Sequence, residues 1–165
     1  MNRVTLLIGG NQGDRRLLME QATEQIRERI GSVVALSSVY ETEPWGDFED
    51  RPQPFLNRAL LVETTLLPQE VLREALAIEA GLGRMRTSGC PGVTSTSGST
   101  RTYHSRPMDI DLIFYDDLVM DTPELTLPHP RMQLRRFVLE PLAEIMPEFR
   151  HPVLGKTVRE LLDEV

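Results

Sequence analysis

The chain lacks most of the features that mark secreted or membrane proteins. It has one cysteine, Cys90, among 165 residues, so no disulfide can form within it. A lone cysteine is typical of proteins kept in a reducing cytosol. No apolar run approaches the roughly 20 residues that a membrane-spanning helix needs. The apolar stretch near the N-terminus is too short for a signal sequence. We therefore expect a cytoplasmic protein with no membrane partner.

Positive charge is also scarce. Lys and Arg number 18 against 25 Asp and Glu, which gives a net charge of −7. This balance argues against general binding to nucleic acids. The arginines are clustered, however: residues 84–108 hold four and no acid, and Arg131, Arg135 and Arg136 follow His129. Because arginine pairs with phosphate oxygens in a bidentate manner, this clustering predicts a small polyanionic ligand.

A length of 165 residues suits one compact domain, and we expect residues 1–165 to form a single unit. Periodicity predicts strands over 4–8, 33–40, 55–66, 106–115 and 118–120, and helices over 15–30, 69–82, 138–145 and 157–165. Asp14 should cap the first helix, and Gly81 or Gly83 should end the second. The order β-α-β-β-α-β predicts an α+β, ferredoxin-like sandwich with helices on an antiparallel sheet and extra C-terminal elements.

Residues 87–105 are dominated by Ser, Thr and Gly, and they predict a long loop. A loop of this length inside a compact domain is typically functional. We expect it to close over bound substrates and exclude water.

The segment over 106–115 carries two acids, Asp109 and Asp111, in an otherwise apolar strand. Because side chains alternate along a strand, both carboxylates should share one face, with Cα atoms about 7 Å apart. That face should continue with Ile113 and Tyr115. The opposite face should hold Met108, Ile110, Leu112 and Phe114. Two like charges beside an apolar face predict a bound divalent cation, most simply Mg²⁺ arriving with a phosphate ligand. The alternative is a strand with one solvated face.

Two other features have a structural reading as well as a functional one. Residues 9–14 (GGNQGD) resemble a phosphate loop but lack its Lys-Ser/Thr, so a tight turn with an Asp cap is the default. His129 lies between two prolines, where a structural role competes with a phosphate contact beside Arg135. No second His or Cys stands at zinc-ligand spacing, and no nucleophile elbow is present.

An ordered series of motifs resembles the 6-hydroxymethyl-7,8-dihydropterin pyrophosphokinase family of folate biosynthesis. The series covers nearly the whole chain. It comprises Gly9-Gly10-Asn11, Gly13-Asp14, SSVYETEPWG at 37–46, Phe55-Leu56-Asn57, Glu79, GRMR at 83–86, RPMDID at 106–111, PHPR at 128–131 and RRF at 135–137. The resemblance implies transfer of the terminal diphosphate of ATP to the pterin hydroxymethyl oxygen, with release of AMP. It implies small-molecule substrates alone, and we expect a monomer.

The resemblance also implies roles for individual residues. Asp109 and Asp111 would hold two Mg²⁺ ions, and Arg84 and Arg106 would act in catalysis. The residues expected to contact ATP are Glu79, Arg84, Arg86, Arg106, Leu112, Thr126, His129 and Arg135. Those expected to form the pterin pocket are Thr42, Pro44, Trp45, Phe55, Asn57, Tyr103 and Phe137. On the residues alone, Phe55 and Phe137 could equally be core, and each arginine a solvated surface residue.

Two rival functions stay open. One is a ferredoxin-like module that senses a nucleotide without turning it over. The other is a two-metal nucleotidyltransferase, which would release pyrophosphate rather than AMP. The identity of the nucleotide product separates the three.

Overall fold

The computed structural model describes residues 1–10, 14–42, 55–87 and 108–165, with the backbone alone at Arg15, Thr42 and 83–87. Its strands are β1 (Asn2–Gly10), β2 (Ser32–Leu36), β3 (Tyr40–Thr42), β4 (Phe55–Thr64), β5 (Asp109–Tyr115), β6 (Met120–Asp121) and β7 (Thr126–Leu127). Its helices are α1 (Arg15–Arg29), α2 (Pro68–Thr87), α3 (Arg136–Ile145) and α4 (Val158–Glu164).

The main sheet has the strand order β2-β4-β1-β5, and β3 pairs with β4 beyond the end of β2. Every pairing in it is antiparallel. The strands β6 and β7 form a separate hairpin. The predicted combination of helices with an antiparallel sheet is therefore confirmed, and the two predicted strands over 33–40 and 55–66 do pair with each other.

Side chains from the two faces of this sheet enter two separate apolar cores. The first lies against α1 and α2, and it includes Leu6, Ile26 and Ile78. The second lies against α3 and α4, and it includes Leu7 and Leu142. Because Leu6 and Leu7 are consecutive in β1, they must point to opposite faces. The sheet is thus covered by helices on both sides.

The helix α2 runs past both glycines that were predicted to end it. It continues to Thr87, so Arg84 and Arg86 belong to its last turns and do not follow it. Glycine inside a helix costs about 1 kcal/mol relative to alanine. Leu82 repeats the core position of Ile78 and is 1% exposed. Burying a leucine contributes about 1.5–3 kcal/mol, which offsets that cost.

The predicted strand over 33–40 is broken into β2 and β3. The break lies at Ser37, whose hydroxyl accepts a hydrogen bond from the Ala59 N–H at 2.9 Å. The Ser37 N–H in turn donates to the Ala59 carbonyl at 2.9 Å. A serine side chain that binds the neighbouring backbone competes with the regular strand ladder. The chain therefore leaves β2 and re-enters the sheet as β3.

The strand β5 contains a bulge that sequence periodicity does not predict. Thr5 of β1 pairs with Phe114 and Leu6 pairs with Leu112, which leaves Ile113 as an extra residue. A bulge of this kind shifts the alternation of side chains by one position. The Phe114 side chain therefore joins the α3–α4 core and Tyr115 joins the α1–α2 core. The faces predicted for these two aromatic residues were wrong, whereas the face of Ile113 was right.

The predicted N-cap of the first helix is confirmed. The Leu17 N–H donates to Asp14 Oδ1 at 3.2 Å, which makes Asp14 the N-cap of α1. In α4, Thr157 lies outside the helix and forms a reciprocal capping box with Glu160.

Among the helices in the described part of the chain, none is both long and apolar enough to cross a membrane.

Candidate active site

Four strand ends meet at one end of the main sheet. Gly9, near the end of β1, lies between Asn57 of β4 and Asp109 of β5 in the sheet register. Beside them, Thr42 at the end of β3 pairs with Phe55 at the start of β4. The paired acids and the described part of the predicted pterin pocket are therefore neighbours in the fold, although they are far apart in the sequence.

Both acids of β5 are exposed, while Ile110 between them is buried against the helices. The prediction that Asp109 and Asp111 share one face is therefore confirmed. That face is the one that also carries Leu7, which pairs with Asp111. With Cα atoms about 7 Å apart on one strand, two exposed carboxylates create a concentrated negative potential.

Asn57 lies on the same face as the acids and is 4% exposed. Its carboxamide leans over β1: a Cβ atom built on Gly9 would meet Asn57 Oδ1 at 2.5 Å. Because Gly9 has no side chain, the Asn57 carboxamide can lie against the backbone of β1. Since neighbouring strands lie about 4.8 Å apart, the Cα atoms of Asn57 and Asp109 are about 10 Å apart across Gly9.

The two predicted stacking phenylalanines have different surroundings. Phe55 is 37% exposed, which contradicts the reading of it as a core residue. Phe137 is half-buried at the start of α3 and packs against the α3–α4 core. The guanidinium carbon of Arg135 lies 5.8 Å from the Phe137 ring centroid, a cation–π distance. Phe137 is therefore part of the core surface, and Phe55 is available to a ligand.

Three of the residues predicted to contact ATP lie along the outer edge of β5. Glu79, 7% exposed, accepts a hydrogen bond from the Ile110 N–H at 2.6 Å. The His129 N–H donates to the Ile113 carbonyl at 2.9 Å. Leu112 lies between these points, and its side chain is buried against the helices. A ligand at this edge can therefore meet Leu112 through its backbone.

The other polar groups of this set that the structure describes belong to Thr126, His129 and Arg135. Thr126 of β7 donates from its hydroxyl to Asp121 Oδ1 at 3.2 Å. His129 Nδ1 lies 2.9 Å from the Pro130 carbonyl oxygen. Arg135 is the N-cap residue of α3 and is half-buried. They supply one hydroxyl, one imidazole and one guanidinium for polar contacts.

Several predicted site residues cannot be placed. Pro44, Trp45, Tyr103 and Arg106 lie outside the described residues, as does the predicted loop over 87–105 apart from Thr87. For three others the structure describes the backbone alone: Thr42, Arg84 and Arg86. Their roles stay predictions.

The donor set at the acids fits a hard divalent cation. Carboxylate oxygens are the ligands that Mg²⁺ prefers, and it commonly takes one or two of them together with phosphate and water oxygens. Within the described ranges, no group of three or more His, Cys, Asp or Glu side chains is arranged to hold a metal. Two carboxylates on one face thus match a Mg²⁺ ion whose other ligands are phosphate and water oxygens.

Sequence reasoning missed the role of Gly9. It treated the glycines after β1 as a tight turn, yet Gly9 lies within the strand and allows the close approach of Asn57. A glycine inside a strand is itself a signal that another group approaches the backbone closely.

The comparisons with known proteins agree on one family. The model of the 7,8-dihydro-6-hydroxymethylpterin-pyrophosphokinase (HPPK) family matches residues 5–147. A 2-amino-4-hydroxy-6-hydroxymethyldihydropteridine pyrophosphokinase from Porphyromonas gingivalis is 43% identical over 150 residues, which cover 90% of this chain and 93% of the relative. One of the same name from Methylorubrum extorquens is 38% identical over 163 residues, covering 98% and 92%.

The fold is also found in solved structures. The crystal structure of wild-type Plasmodium falciparum HPPK-DHPS superposes with a TM-score of 0.76 at 16% identity. The match covers 99% of this chain and 44% of that longer chain. At this identity the likeness speaks for the fold alone. The family match over most of the sequence decides the assignment: the chain belongs to the 7,8-dihydro-6-hydroxymethylpterin-pyrophosphokinase family.

Proposed function

We propose that the chain transfers the diphosphate of ATP to the hydroxymethyl oxygen of 6-hydroxymethyl-7,8-dihydropterin in folate biosynthesis, and releases AMP. The observation that carries the proposal is the row formed by Asn57, Gly9 and Asp109 across three strands. It sets an amide that can read the edge of a pterin beside the carboxylates that would hold a metal. The names and identities of the relatives support the same reaction.

The pterin would lie beside the acids at the end of the sheet where the four strands meet, on the face that α3 and α4 cover elsewhere. Asn57 offers one carbonyl acceptor and two N–H donors, which match the alternating donors and acceptors of a pterin edge. Phe55 offers an exposed aromatic surface for stacking. Phe137 would bound the site from α3. Thr42, which ends β3 beside Phe55, is also proposed to line the pocket. The other residues proposed for the pocket are Pro44, Trp45 and Tyr103.

ATP would lie along the outer edge of β5. Glu79, Leu112 and His129 flank that edge, and the acids project from the same strand. The triphosphate would thus meet the acids on one side, with the pterin on the other. Arg84, Arg86, Arg106 and Arg135 are proposed to neutralise the phosphates, and Thr126 to add a hydroxyl contact.

The reaction forms a bond between the pterin oxygen and the β-phosphorus of ATP. The bond from that phosphorus to the oxygen bridging the α- and β-phosphates breaks, and this oxygen leaves with AMP. The hydroxyl proton passes to solvent or to a phosphate oxygen. Two Mg²⁺ ions bound through Asp109 and Asp111 would neutralise phosphate charge and lower the pKa of the attacking hydroxyl. The chain's own contribution is to align the two substrates and to exclude water.

The finer structural expectations belong to the same proposal. The strand order β2-β4-β1-β5 with two helices on one face supports a ferredoxin-like arrangement for the single domain. We propose that the protein acts as a monomer in the cytoplasm, a reducing compartment that its single cysteine suits. Its mass in solution, measured by light scattering, tests the monomer.

The proposal is tested by identifying the nucleotide product. The protein is incubated with ATP, Mg²⁺ and 6-hydroxymethyl-7,8-dihydropterin, and the nucleotides are separated by chromatography. AMP in equal amount to pterin diphosphate supports the proposal. Release of pyrophosphate would favour a nucleotidyltransferase, and ATP binding without turnover would favour a sensing module.

The metal assignment is tested by Asp109→Asn and Asp111→Asn, which remove one charge each and preserve shape. Turnover should fall by at least about a thousandfold, since stabilisation of charge in the transition state is commonly worth several kcal/mol. Asp117→Asn, in the exposed turn after β5, is the matched control and should keep full activity. Near-normal turnover of either site variant at saturating Mg²⁺ would show that the metal binds elsewhere.

A further inference from the structure

The carboxylate of Glu144, on α3, holds the short linker between β2 and β3. The Ser38 N–H donates to Glu144 Oε1 at 3.0 Å, and the Ser38 hydroxyl donates to Oε2 at 3.1 Å. The Tyr40 hydroxyl also donates to Oε1, at 2.9 Å. Both carboxylate oxygens are thus engaged by two residues that lie more than 100 positions earlier in the sequence.

The charge of this carboxylate is favoured by its surroundings. The Ser38 backbone N–H lowers the pKa of Glu144 most, and the Tyr40 and Ser38 hydroxyls lower it further. Burial raises the pKa of the Tyr40 phenol first, and its bond to Glu144 raises it further. Glu144 therefore remains an acceptor and Tyr40 a donor across the neutral range. Hydrogen bonds to a charged group are stronger than those between neutral groups.

The linker that Glu144 holds is part of the wall of the proposed pterin site. Tyr40 pairs with Asn57, and Thr42, two residues on, pairs with Phe55. On its other side, the linker is fastened to β4 by the two bonds between Ser37 and Ala59. The bond network thus reaches the strand that carries Asn57 and Phe55.

Glu144, which accepts these hydrogen bonds, lies on the same helix as Phe137. Glu144 follows Phe137 by seven residues, which is about two turns, so the two side chains project from the same side of α3. Phe137 packs against the α3–α4 core that covers this face of the sheet. The three hydrogen bonds of Glu144 therefore tie the helix bearing Phe137 to the strand pair bearing Phe55 and Asn57.

We infer that Glu144 is a positioning residue that fixes the spacing between α3 and the β3–β4 pair, and thereby the width of the pterin site. This inference rests on the proposed function and assigns Glu144 no contact with substrate. Loss of its hydrogen bonds should loosen one wall of the pterin site. The outer edge of β5, where ATP is proposed to bind, belongs to the opposite end of the sheet order. Of the described residues proposed to contact ATP, Arg135 alone adjoins α3, so affinity for ATP should change less than affinity for the pterin.

The test compares Glu144→Ala and Glu144→Gln with Glu140→Ala as control. Glu140 lies on the same helix and forms an exposed ion pair with Arg136 at 3.3 Å. Pterin affinity is measured by fluorescence titration at saturating Mg²⁺ and a non-hydrolysable ATP analogue, and analogue affinity is measured separately. Thermal midpoints show that each variant is folded.

Glu144→Ala should weaken pterin binding about tenfold, because a drop of the correctly spaced site to about one tenth of the population lowers the apparent affinity by the same factor. The affinity for the ATP analogue should stay within about twofold. Glu144→Gln keeps one carbonyl acceptor for the Ser38 N–H and Tyr40 hydroxyl, so it should recover most of the lost affinity. Glu140→Ala should match the unmodified protein in both titrations.

Two results would overturn the inference. One is a folded Glu144→Ala variant with unchanged pterin affinity; the other is an equal loss of pterin and analogue affinity, which would show a general structural role. Should Glu144→Ala fail to fold, Tyr40→Phe removes one of the three bonds and should weaken pterin binding severalfold, and unchanged affinity would again contradict the inference. An unmodified protein that binds no pterin would refute the proposed function itself, which separates the two failures.

Discussion

The contact between Gly9 and Asn57 yields the sharpest prediction, because the substitution Gly9→Ala adds a single methyl group. The new Cβ would lie 2.5 Å from Asn57 Oδ1 and 3.2 Å from the Leu56 carbonyl oxygen. Ordinary contact begins at 3.4 Å, so the Asn57 amide must withdraw by about 0.9 Å. A hydrogen bond of about 2.9 Å lengthened by that amount is lost.

The size of the effect follows from the bonds that Asn57 is proposed to make. Two lost hydrogen bonds of about 1 kcal/mol each amount to about 2 kcal/mol, or roughly a thirtyfold weaker pterin complex. Stability should also fall, because adding a methylene to a packed site costs about 1–3 kcal/mol. The melting temperature should drop by about 2–4 °C for each of those kcal/mol. Affinity for an ATP analogue should be preserved.

The assay is a pterin titration by fluorescence with Mg²⁺ and the ATP analogue at saturation, together with a thermal melt. Gly81→Ala is the matched control, since a Cβ there meets nothing within 4 Å. This control should leave pterin affinity unchanged and raise stability by up to about 1 kcal/mol, because alanine is the better helix former.

A double-mutant cycle isolates the proposed cause. In an Asn57→Ala background the amide is absent, so adding Gly9→Ala should cost less than about 0.5 kcal/mol of further pterin affinity. Pterin affinity within twofold of the unmodified protein for Gly9→Ala alone would refute the reasoning. An undiminished cost in the Asn57→Ala background would show that the backbone contact, and not Asn57, is responsible.

Two further predictions concern stability. Burial lowers the pKa of His151, which is 5% exposed and accepts from the Val153 and Leu154 N–H groups through Nδ1. The contribution of His151 to the free energy of unfolding is therefore full above the unfolded-state pKa of about 6.5 and is lost as pH falls towards the folded pKa. The free energy of unfolding in urea should differ less between pH 7.5 and pH 5.5 for His151→Gln than for the unmodified protein. An equal difference in the two proteins would contradict this. Glu79→Ala leaves the Ile110 N–H without its carboxylate acceptor and should cost about 1–3 kcal/mol in urea unfolding, whereas Glu79→Gln should cost less; equal costs would show that the hydrogen bond is unimportant.

The parts of the fold that follow from short-range patterns were predictable. The period of a strand put Asp109 and Asp111 on one face, and the structure agrees. The carboxylate of Asp14, just before an apolar helical pattern, predicted the start of α1. Each of these depends on residues that are close in the sequence, so local geometry is sufficient.

The parts that depend on tertiary contacts were not predictable. The end of α2 was predicted too early, because a local pattern does not show that Leu82 is buried. The free energy gained by burying Leu82 exceeds the cost of a glycine at position 81 of the helix. The bulge at Ile113 could not be predicted from residue types, because residues 112–115 are all apolar or aromatic and suit either face of the sheet. The break at Ser37 depends on a hydroxyl bonded to Ala59, 22 positions away.

The candidate site shows the same division. The family resemblance named Asn57 and Asp109, yet only the register shows that Gly9 separates them. The three bonds of Glu144 join segments that are remote in the sequence, so neither spacing nor periodicity could reveal them. Sequence identifies the chemical groups, whereas pairing decides which of them act together.

The surplus residue at Ile113 has a consequence for how the site tolerates change. Beyond it, Tyr115 fixes one half of β5 through hydrogen bonds with Asn2 and the Leu66 carbonyl. Deleting one residue between Tyr115 and Asp111 would make the side chains of the first part of β5, which begins at Asp109, point to the opposite face of the sheet. Both carboxylates would then face α1 and α2, and their apolar neighbours would face the side of the sheet that now carries the acids. A position proposed to touch neither substrate thus determines on which side of the protein the chemistry takes place.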